Sequence, residues 1–72
     1  MLPNDPQARL HAVVEGRVQG VGFRMFVLET ARSFQLTGWV RNRWNGSVEV
    51  VAEGSRRSLE EFLSKLRIGP PA

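Results

Sequence analysis

The chain has 72 residues and a mass of 8.1 kDa, which is enough for one small domain. Hydrophobic residues make up 42% of the sequence and charged residues 24%, a balance typical of folded globular domains rather than disordered chains. Cysteine is absent and His11 is the only histidine, which excludes disulfides and cysteine nucleophiles and disfavours a metal site. The formal net charge is +3, so we expect a mildly basic surface.

The N-terminal residues predict neither export nor a membrane anchor. The stretch from Met1 to Pro6 is proline-rich and lacks the apolar core of a signal peptide. No apolar run approaches the ~20 residues that a membrane-spanning helix needs. We therefore expect a cytoplasmic protein without membrane contact, with a loose leader at residues 1–7 and one domain at residues 8–72.

The first predicted strand runs from Arg9 to Arg17. Apolar and polar residues alternate there, which is typical of a strand with one buried face. The glycine-rich stretch from Gly16 to Gly22 follows and disfavours a regular element. The period then changes to that of a helix, from about Gly22 to Phe34. Its apolar stripe comprises Phe23, Phe26, Val27, Thr30, Ala31 and Phe34.

A hairpin and a second helix complete the predicted elements. Strands at Thr37–Arg43 and Ser47–Glu53 flank an Asn-Gly pair, which is a strong hairpin signal, and Gly54 is expected to end the second of them. The second helix begins near Ser55 or Ser58 and ends at Ile68, before Gly69-Pro70-Pro71. Its apolar stripe comprises Leu59, Phe62, Leu63 and Leu66.

The order β–α–β–β–α predicts a ferredoxin-like split βαβ sandwich, an α+β fold with two helices on one face of an antiparallel sheet. That fold has a further strand after the second helix, beside the first strand. We expect this final strand to be missing, because the chain ends at Ala72. We expect a monomer, with self-association through the exposed edge of the first strand as the alternative.

The glycine-rich loop before Arg24 is the strongest functional signal. Its glycines allow successive backbone N–H groups to point inward, and it enters a helix N-terminus with free N–H donors. Such an arrangement binds anions, above all phosphate. Arg24 lies in the first helical turn, where a cation opposes the helix dipole unless an anion lies beside it. A surface arginine after a flexible turn is the alternative interpretation.

Two motifs resemble the acylphosphatase family. The first is Gly16-Arg17-Val18-Gln19-Gly20-Val21-Gly22-Phe23-Arg24. The second is Gly38-Trp39-Val40-Arg41-Asn42, followed by Gly46 and a valine-rich strand. The resemblance covers about residues 9–72, and two motifs in the right order make it specific. It implies hydrolysis of acyl phosphates to a carboxylate and inorganic phosphate, without a metal or other cofactor.

The resemblance also assigns roles to individual residues. It implies that Arg24 is the catalytic, phosphate-binding arginine and that Asn42 is the catalytic amide that orients the attacking water. The remaining phosphate-binding residues would be Arg17, Val18, Gln19, Gly20, Val21 and Gly22. The implied substrate is a small acyl phosphate, and no nucleic-acid partner is expected.

Other residues have structural interpretations. Without the family, Asn42 is a polar residue beside a turn, and Trp39 and Trp44 are expected to pack rather than to bind a ligand. His11 is expected to be solvated. Three acidic residues are expected to form an exposed face rather than a catalytic pair, namely Glu15, Glu49 and Glu53.

Three alternative functions remain open. In the first, the chain is an acylphosphatase-like N-terminal module of a larger maturation protein that handles carbamoyl phosphate. In the second, it is a non-catalytic phosphate-binding relative. The third is an RNA-binding module, since RNA-recognition domains share this fold. It is disfavoured because the third strand has no aromatic residue and includes Glu49.

Overall fold

Three strands and two helices make up the part of the chain that the computed structural model describes, residues 6–16 and 21–70. They follow in the order β1 (Gln7–Val14), α1 (Val21–Ser33), β2 (Thr37–Asn42), β3 (Val48–Ser55) and α2 (Arg56–Ile68). The predicted order of elements is therefore confirmed. Within the described residues, neither helix has the length and apolar character needed to cross a bilayer.

The sheet has the strand order β1-β3-β2, and both of its pairings are antiparallel. Val50 lies at the centre, with Ala12 opposite it on β1 and Val40 opposite it on β2. Residues that lie directly opposite each other in an antiparallel pair point to the same side of the sheet. The valine-rich face of β3 is therefore extended by apolar residues of β1 and β2. Both helices pack on this face, which confirms the predicted α+β ferredoxin-like arrangement.

The core lies between this face and the two helices. Phe62 and Val48 are fully buried, and Val27 is 2% exposed. Burying each such side chain stabilises the fold by roughly 1.5–3 kcal/mol. The buried cluster comprises Val27, Leu36, Val48, Val50, Ala52, Leu59, Phe62 and Leu66. The predicted stripes of the two helices supply all four of its helical members.

The ends of the helices are fixed by local hydrogen bonds. α1 ends in a Schellman arrangement, in which the N–H of Leu36 donates to Ala31 O (2.9 Å) and the N–H of Gln35 to Arg32 O (3.0 Å). At α2, Ser55 is the N-cap, and its Oγ accepts a hydrogen bond from the N–H of Ser58 at 3.1 Å. Ser55 is therefore the cap among the two serines that the sequence offered.

All three strands differ from their predicted bounds, and among the smaller differences β2 ends at Asn42 rather than Arg43 and β3 begins at Val48 rather than Ser47. β1 occupies Gln7–Val14 rather than starting at Arg9 and continuing to Arg17, because its pairing with β3 ends where Val14 meets Val48. β3 does not end before Gly54 but continues to Ser55. Gly54 is needed within the strand, since a Cβ there would collide with Leu36 Cδ2 of the core. The leader residues Met1–Asp5 lie outside the described residues.

Candidate active site

The last residues of β1 and β2 meet at one end of the sheet. Val48, the first residue of β3, lies opposite Val14 on one side and opposite Asn42 on the other. We call this end, defined by Val14, Val48 and Asn42, the site end. It is the end at which β1 stops and at which the predicted catalytic asparagine lies.

α1 begins at the site end and runs away from it. Its last residue, Ser33, is followed closely by Thr37, the first residue of β2, which lies at the opposite end of the sheet. A helix of 13 residues is about 20 Å long, which is close to the length of the strands it covers. Arg24, in the first turn of α1, therefore lies at the same end of the fold as Asn42.

Asn42 lies on the side of the sheet that the helices cover. Its direct partner Val48 is fully buried, and Val40, two residues earlier on the same strand, packs against the core. Residues two apart on a strand share a face, so Asn42 follows Val40 on the helix side. Because Asn42 is the last residue of β2, its side chain is exposed rather than buried.

The side chains of Arg24 and Asn42 have no hydrogen-bond or ion-pair partner among the described residues. Arg24 is half-buried, so part of its hydrophobic stem is covered by protein. A guanidinium offers a planar fork of donors that matches phosphate oxygens, and a side-chain amide can both accept a hydrogen bond from water and donate one. The two groups together can bind a phosphoryl group and position a water molecule.

The β2–β3 turn holds Asn42 in place. The N–H of Arg43 donates to Ser47 O at 2.8 Å, and the N–H of Gly46 donates to Arg43 O at 3.2 Å. Gly46 has φ +93°, which is the left-handed conformation that a three-residue hairpin loop requires at its last position. Asn45 Oδ1 accepts hydrogen bonds from Ser47 Oγ at 2.7 Å and from the Ser47 N–H at 3.2 Å. The Asn-Gly hairpin predicted from the sequence is confirmed.

The predicted phosphate-binding loop is only partly described. Arg17, Val18, Gln19 and Gly20 lie outside the described residues. Val21 and Gly22 form the start of α1, and Gly22 is exposed. The structure thus brings Gly22, Arg24 and Asn42 to the site end, and the contribution of the four preceding residues stays a prediction.

The opposite face of the sheet has a charged cluster that the sequence analysis missed. Glu49 Oε2 accepts a hydrogen bond from His11 Nε2 at 2.6 Å, and Glu49 Oε1 accepts one from Arg41 at 2.7 Å. The Arg41 guanidinium also lies 5.3 Å from the centre of the Trp39 ring. This cluster joins all three strands. In the described residues, no group of three or more histidine or acidic side chains is arranged to hold a metal ion.

Glu49 and His11 therefore differ from the prediction of a simply solvated face. The Glu49 side chain is only 14% exposed, although His11 and Arg41 remain largely open to solvent. The hydrogen bonds from His11 and then from Arg41 hold the pKa of Glu49 below its ordinary value. Arg41 and Glu49 lie directly opposite each other across the hairpin, so the register would have revealed the pair.

A cavity of about 510 Å³ lies between α1 and β2, away from the candidate catalytic residues. Its walls include Leu28 and Arg32 of α1, Trp39 and Val40 of β2, and the buried Phe62. Neither Arg24 nor Asn42 contributes to its lining. This cavity is therefore separate from the two candidate catalytic residues.

Comparison with known proteins points to one family. The family model described as Acylphosphatase matches residues 10–72. The chain is 59% identical over 64 residues to the acylphosphatase of Syntrophotalea carbinolica, a match that covers 89% of this chain and 70% of that protein. The crystal structure of the Bacillus subtilis acylphosphatase is similar with a TM-score of 0.79 and 48% identity, covering 90% of this chain and 70% of that one.

A second solved structure, of an acylphosphatase from Coxiella burnetii, gives a TM-score of 0.83 at 46% identity. That match covers 90% of this chain and 68% of the other. The similarity thus extends over nearly all of this chain and over somewhat more than two thirds of each of these three proteins.

Proposed function

The chain belongs to the acylphosphatase family, and we propose that it hydrolyses acyl phosphates with Arg24 and Asn42 as its catalytic residues. In this reaction water attacks the phosphorus atom, and the bond between phosphorus and the acyl oxygen breaks. The products are a carboxylate and inorganic phosphate. The proposal for the two residues rests on their position, since both lie at the site end with side chains that no described residue engages.

Arg24 is proposed to bind the phosphoryl group. Its guanidinium donates two parallel hydrogen bonds to phosphate oxygens, and the bonds strengthen as negative charge accumulates there in the transition state. The backbone N–H groups in the first turn of α1 lie at the same end of the fold, and the N-terminus of a helix favours the same negative charge. Interactions of this kind hold and stabilise the group without forming a covalent intermediate.

Asn42 is proposed to orient the attacking water. A neutral amide is not a base at ordinary pH, but its Oδ1 accepts a hydrogen bond from water and fixes the direction of the oxygen lone pair. A phosphate oxygen of the substrate takes the proton as the new bond forms. The leaving carboxylate is stable as an anion, so the reaction does not need a strong general acid.

The proposal is tested by the hydrolysis of benzoyl phosphate in the presence of EDTA by the 72-residue chain and four variants. Arg24→Ala and Asn42→Ala are each expected to reduce kcat/KM by about 10²–10³-fold, the usual effect of losing one group that acts on the transition state. Arg24→Lys, which retains the charge but loses the fork, is expected to recover only part of the activity.

Arg32→Ala is the matched control for Arg24. Arg32 is exposed in the last turn of the same helix, at the end remote from the site, and is expected to have the parent activity. Circular dichroism of each variant separates a loss of chemistry from a loss of fold. Parent-like turnover by folded Arg24→Ala and Asn42→Ala would contradict the proposed roles, and inactivity of the parent itself would contradict the proposed activity.

The monomeric state, the absence of a nucleic-acid partner and the cytoplasmic location stay predictions. Sedimentation velocity at micromolar concentration tests the first of them. A species of about 8 kDa is expected.

A further inference from the structure

The β2–β3 turn is not held by its large apolar side chain. Trp44, in the middle of the turn, is 95% exposed, so the expectation that it packs against the protein is wrong. Its ring therefore adds almost no apolar burial to the stability of the turn. Hydrogen bonds order the turn instead, between backbone groups of Arg43, Gly46 and Ser47 and from Ser47 to the Asn45 side chain.

The Asn45 side chain faces Ser47 with its oxygen. The backbone N–H of Ser47 can only donate, so the amide atom that lies 3.2 Å from it is the acceptor Oδ1. The same oxygen accepts a hydrogen bond from the Ser47 hydroxyl at 2.7 Å. Ser47 is only 3% exposed, so water does not readily replace an acceptor that is lost at this position.

Ser47 connects Asn45 with the candidate catalytic asparagine. The carbonyl of Ser47 accepts a hydrogen bond from the N–H of Arg43 at 2.8 Å, and Arg43 directly follows Asn42. Val48, which follows Ser47, is the direct partner of Asn42 across the hairpin. The Asn42 side chain has no hydrogen-bond partner among the described residues, so its direction depends on the backbone that carries it.

We infer that Asn45 is a positioning residue, which holds Ser47 and thereby fixes the backbone beside Asn42 and the direction of the Asn42 amide. The inference rests on the proposed function, in which Asn42 orients the attacking water. A displacement of about 1 Å at a reacting group lowers the rate of the chemical step by up to about 10²-fold. Binding of the phosphoryl group by Arg24 does not depend on this turn. Loss of the Asn45 amide is therefore expected to lower kcat and to leave KM nearly the same.

The test measures kcat and KM for benzoyl phosphate with two variants of one residue. Asn45→Ala removes the acceptor oxygen and is expected to lower kcat about threefold to tenfold. Asn45→Asp retains an acceptor, and aspartate makes the same side-chain bond to the backbone two residues later. It is expected to recover most of the parent kcat. A kcat that is equally low in both variants would overturn the inference.

Ser55→Ala is the matched control, because it removes a bond of the same kind from the opposite end of β3. Ser55 Oγ accepts a hydrogen bond from the Ser58 N–H at 3.1 Å, as Asn45 Oδ1 does from the Ser47 N–H. Both alanine variants are expected to lower the thermal midpoint. Only Asn45→Ala should lower kcat at a temperature at which both proteins are folded, and an equal kcat in the two variants would contradict the positioning role.

A double variant shows whether Asn45 acts through Asn42. In the Asn42→Ala background, Asn45→Ala is expected to change the residual kcat by less than about twofold, since no amide is left to position. The full loss of about threefold to tenfold in this background would show that Asn45 affects the rate by another route, and the inference would then be wrong.

A measurement without turnover separates the inference from the proposed function. In 15N-labelled protein, the backbone and side-chain amide signals of Asn42 report its surroundings whether or not substrate is hydrolysed. Asn45→Ala should shift both signals, and Ser55→Ala should shift neither. A parent that is inactive on benzoyl phosphate contradicts the proposed function, and the signals then decide whether Asn45 fixes Asn42. Unshifted Asn42 signals in Asn45→Ala overturn the inference in an active or an inactive parent.

Discussion

The N-termini of the two helices are built from different residues. At α2, Ser55 Oγ accepts a hydrogen bond from the N–H of Ser58, and the N–H of Arg56 donates to Pro6 O at 2.9 Å. The residue before α1 is Gly20, which has no side chain to act as a cap, and the first turn of α1 contains Arg24 but no acidic residue. The protein thus satisfies the donors of α2 itself.

Both helices have an arginine in their first turn, so charge alone does not distinguish them. The difference lies in the partners of the backbone donors and of the arginine. Arg56 is exposed and forms an ion pair with Glu60 one turn later, whereas Arg24 is half-buried and has no such partner in the described residues. A helix start that follows a glycine, beside an arginine that no described residue engages, is typical of a phosphate-binding site, whereas a side-chain cap such as Ser55 is typical of a helix start that stabilises the fold.

The largest expected difference is between two variants, in each of which the arginine of one helix start is replaced by alanine. Arg24→Ala should lower kcat/KM for benzoyl phosphate by about 10²–10³-fold, because it removes a charged donor from the transition state. Arg56→Ala should leave it within about twofold, since an exposed pair contributes ~0.3–0.5 kcal/mol and lies at the other end of the sheet. Equal losses in both variants would show that the helix starts do not differ in function.

Gly22→Ala should separate activity from stability at the start of α1. Outside its own helix, a Cβ at this position meets no atom of the described residues within 4 Å, and alanine is the better helix former by about 1 kcal/mol. The thermal midpoint is therefore expected to rise by a few degrees. If phosphate approaches the backbone here, the methyl group should weaken one charge-assisted hydrogen bond and lower kcat/KM about tenfold. A variant that gains stability and keeps full activity would remove Gly22 from the site.

Ser55→Ala should have the opposite pattern at the start of α2. The loss of the cap is expected to cost about 1 kcal/mol, which lowers the thermal midpoint of a domain of this size by roughly 4–8 °C. The kcat/KM of the remaining folded protein should equal that of the parent, because Ser55 lies at the end of β3 remote from Asn42. Scanning calorimetry and initial rates at low temperature measure the two quantities separately.

Glu49→Gln should have the smallest effect, and it should depend on pH. The pKa of Glu49 is lowered in the folded state by its bonds to His11 and Arg41, so the ionised group stabilises the fold above its unfolded pKa. This stabilisation is lost as the pH falls through the lowered pKa. The gap in urea midpoint between parent and variant is therefore expected at neutral pH and should shrink in acid. A gap that grows in acid would show that Glu49 acts by another route.

Much of the fold was predictable because each element has one dominant pattern. The helical stripe that includes Phe26 and Val27 predicted α1, and the alternation around Val50 predicted β3. The boundaries were less predictable, because they depend on partners that lie elsewhere in the chain. β1 ends where β3 stops pairing with it, and β3 continues through Gly54 because β1 pairs with it as far as Ser55.

In the candidate site, too, the residue types were predictable from the sequence, whereas their positions depend on distant partners. Arg24 was predicted from its place after a glycine-rich loop and Asn42 from a motif. The hairpin fixes where Asn42 lies, since its three-residue loop pairs Asn42 with Val48 and keeps both on the helix side. A loop one residue longer would place Asn42 opposite Glu49 and would point the side chains of one strand to the other face of the sheet. The apolar match of Val40 with Val50 favours the observed register.

The sequence by itself determined the order of the elements, their buried faces and the residue types that can bind and hydrolyse an acyl phosphate, because periodicity and side-chain chemistry are local properties. Tertiary structure alone decided that Arg24 and Asn42 lie at one end of the sheet. It also decided that Glu49 accepts hydrogen bonds from both His11 and Arg41, and that the Trp44 side chain is exposed. These facts depend on strand order, register and turn geometry, which result from the packing of segments far apart in the chain.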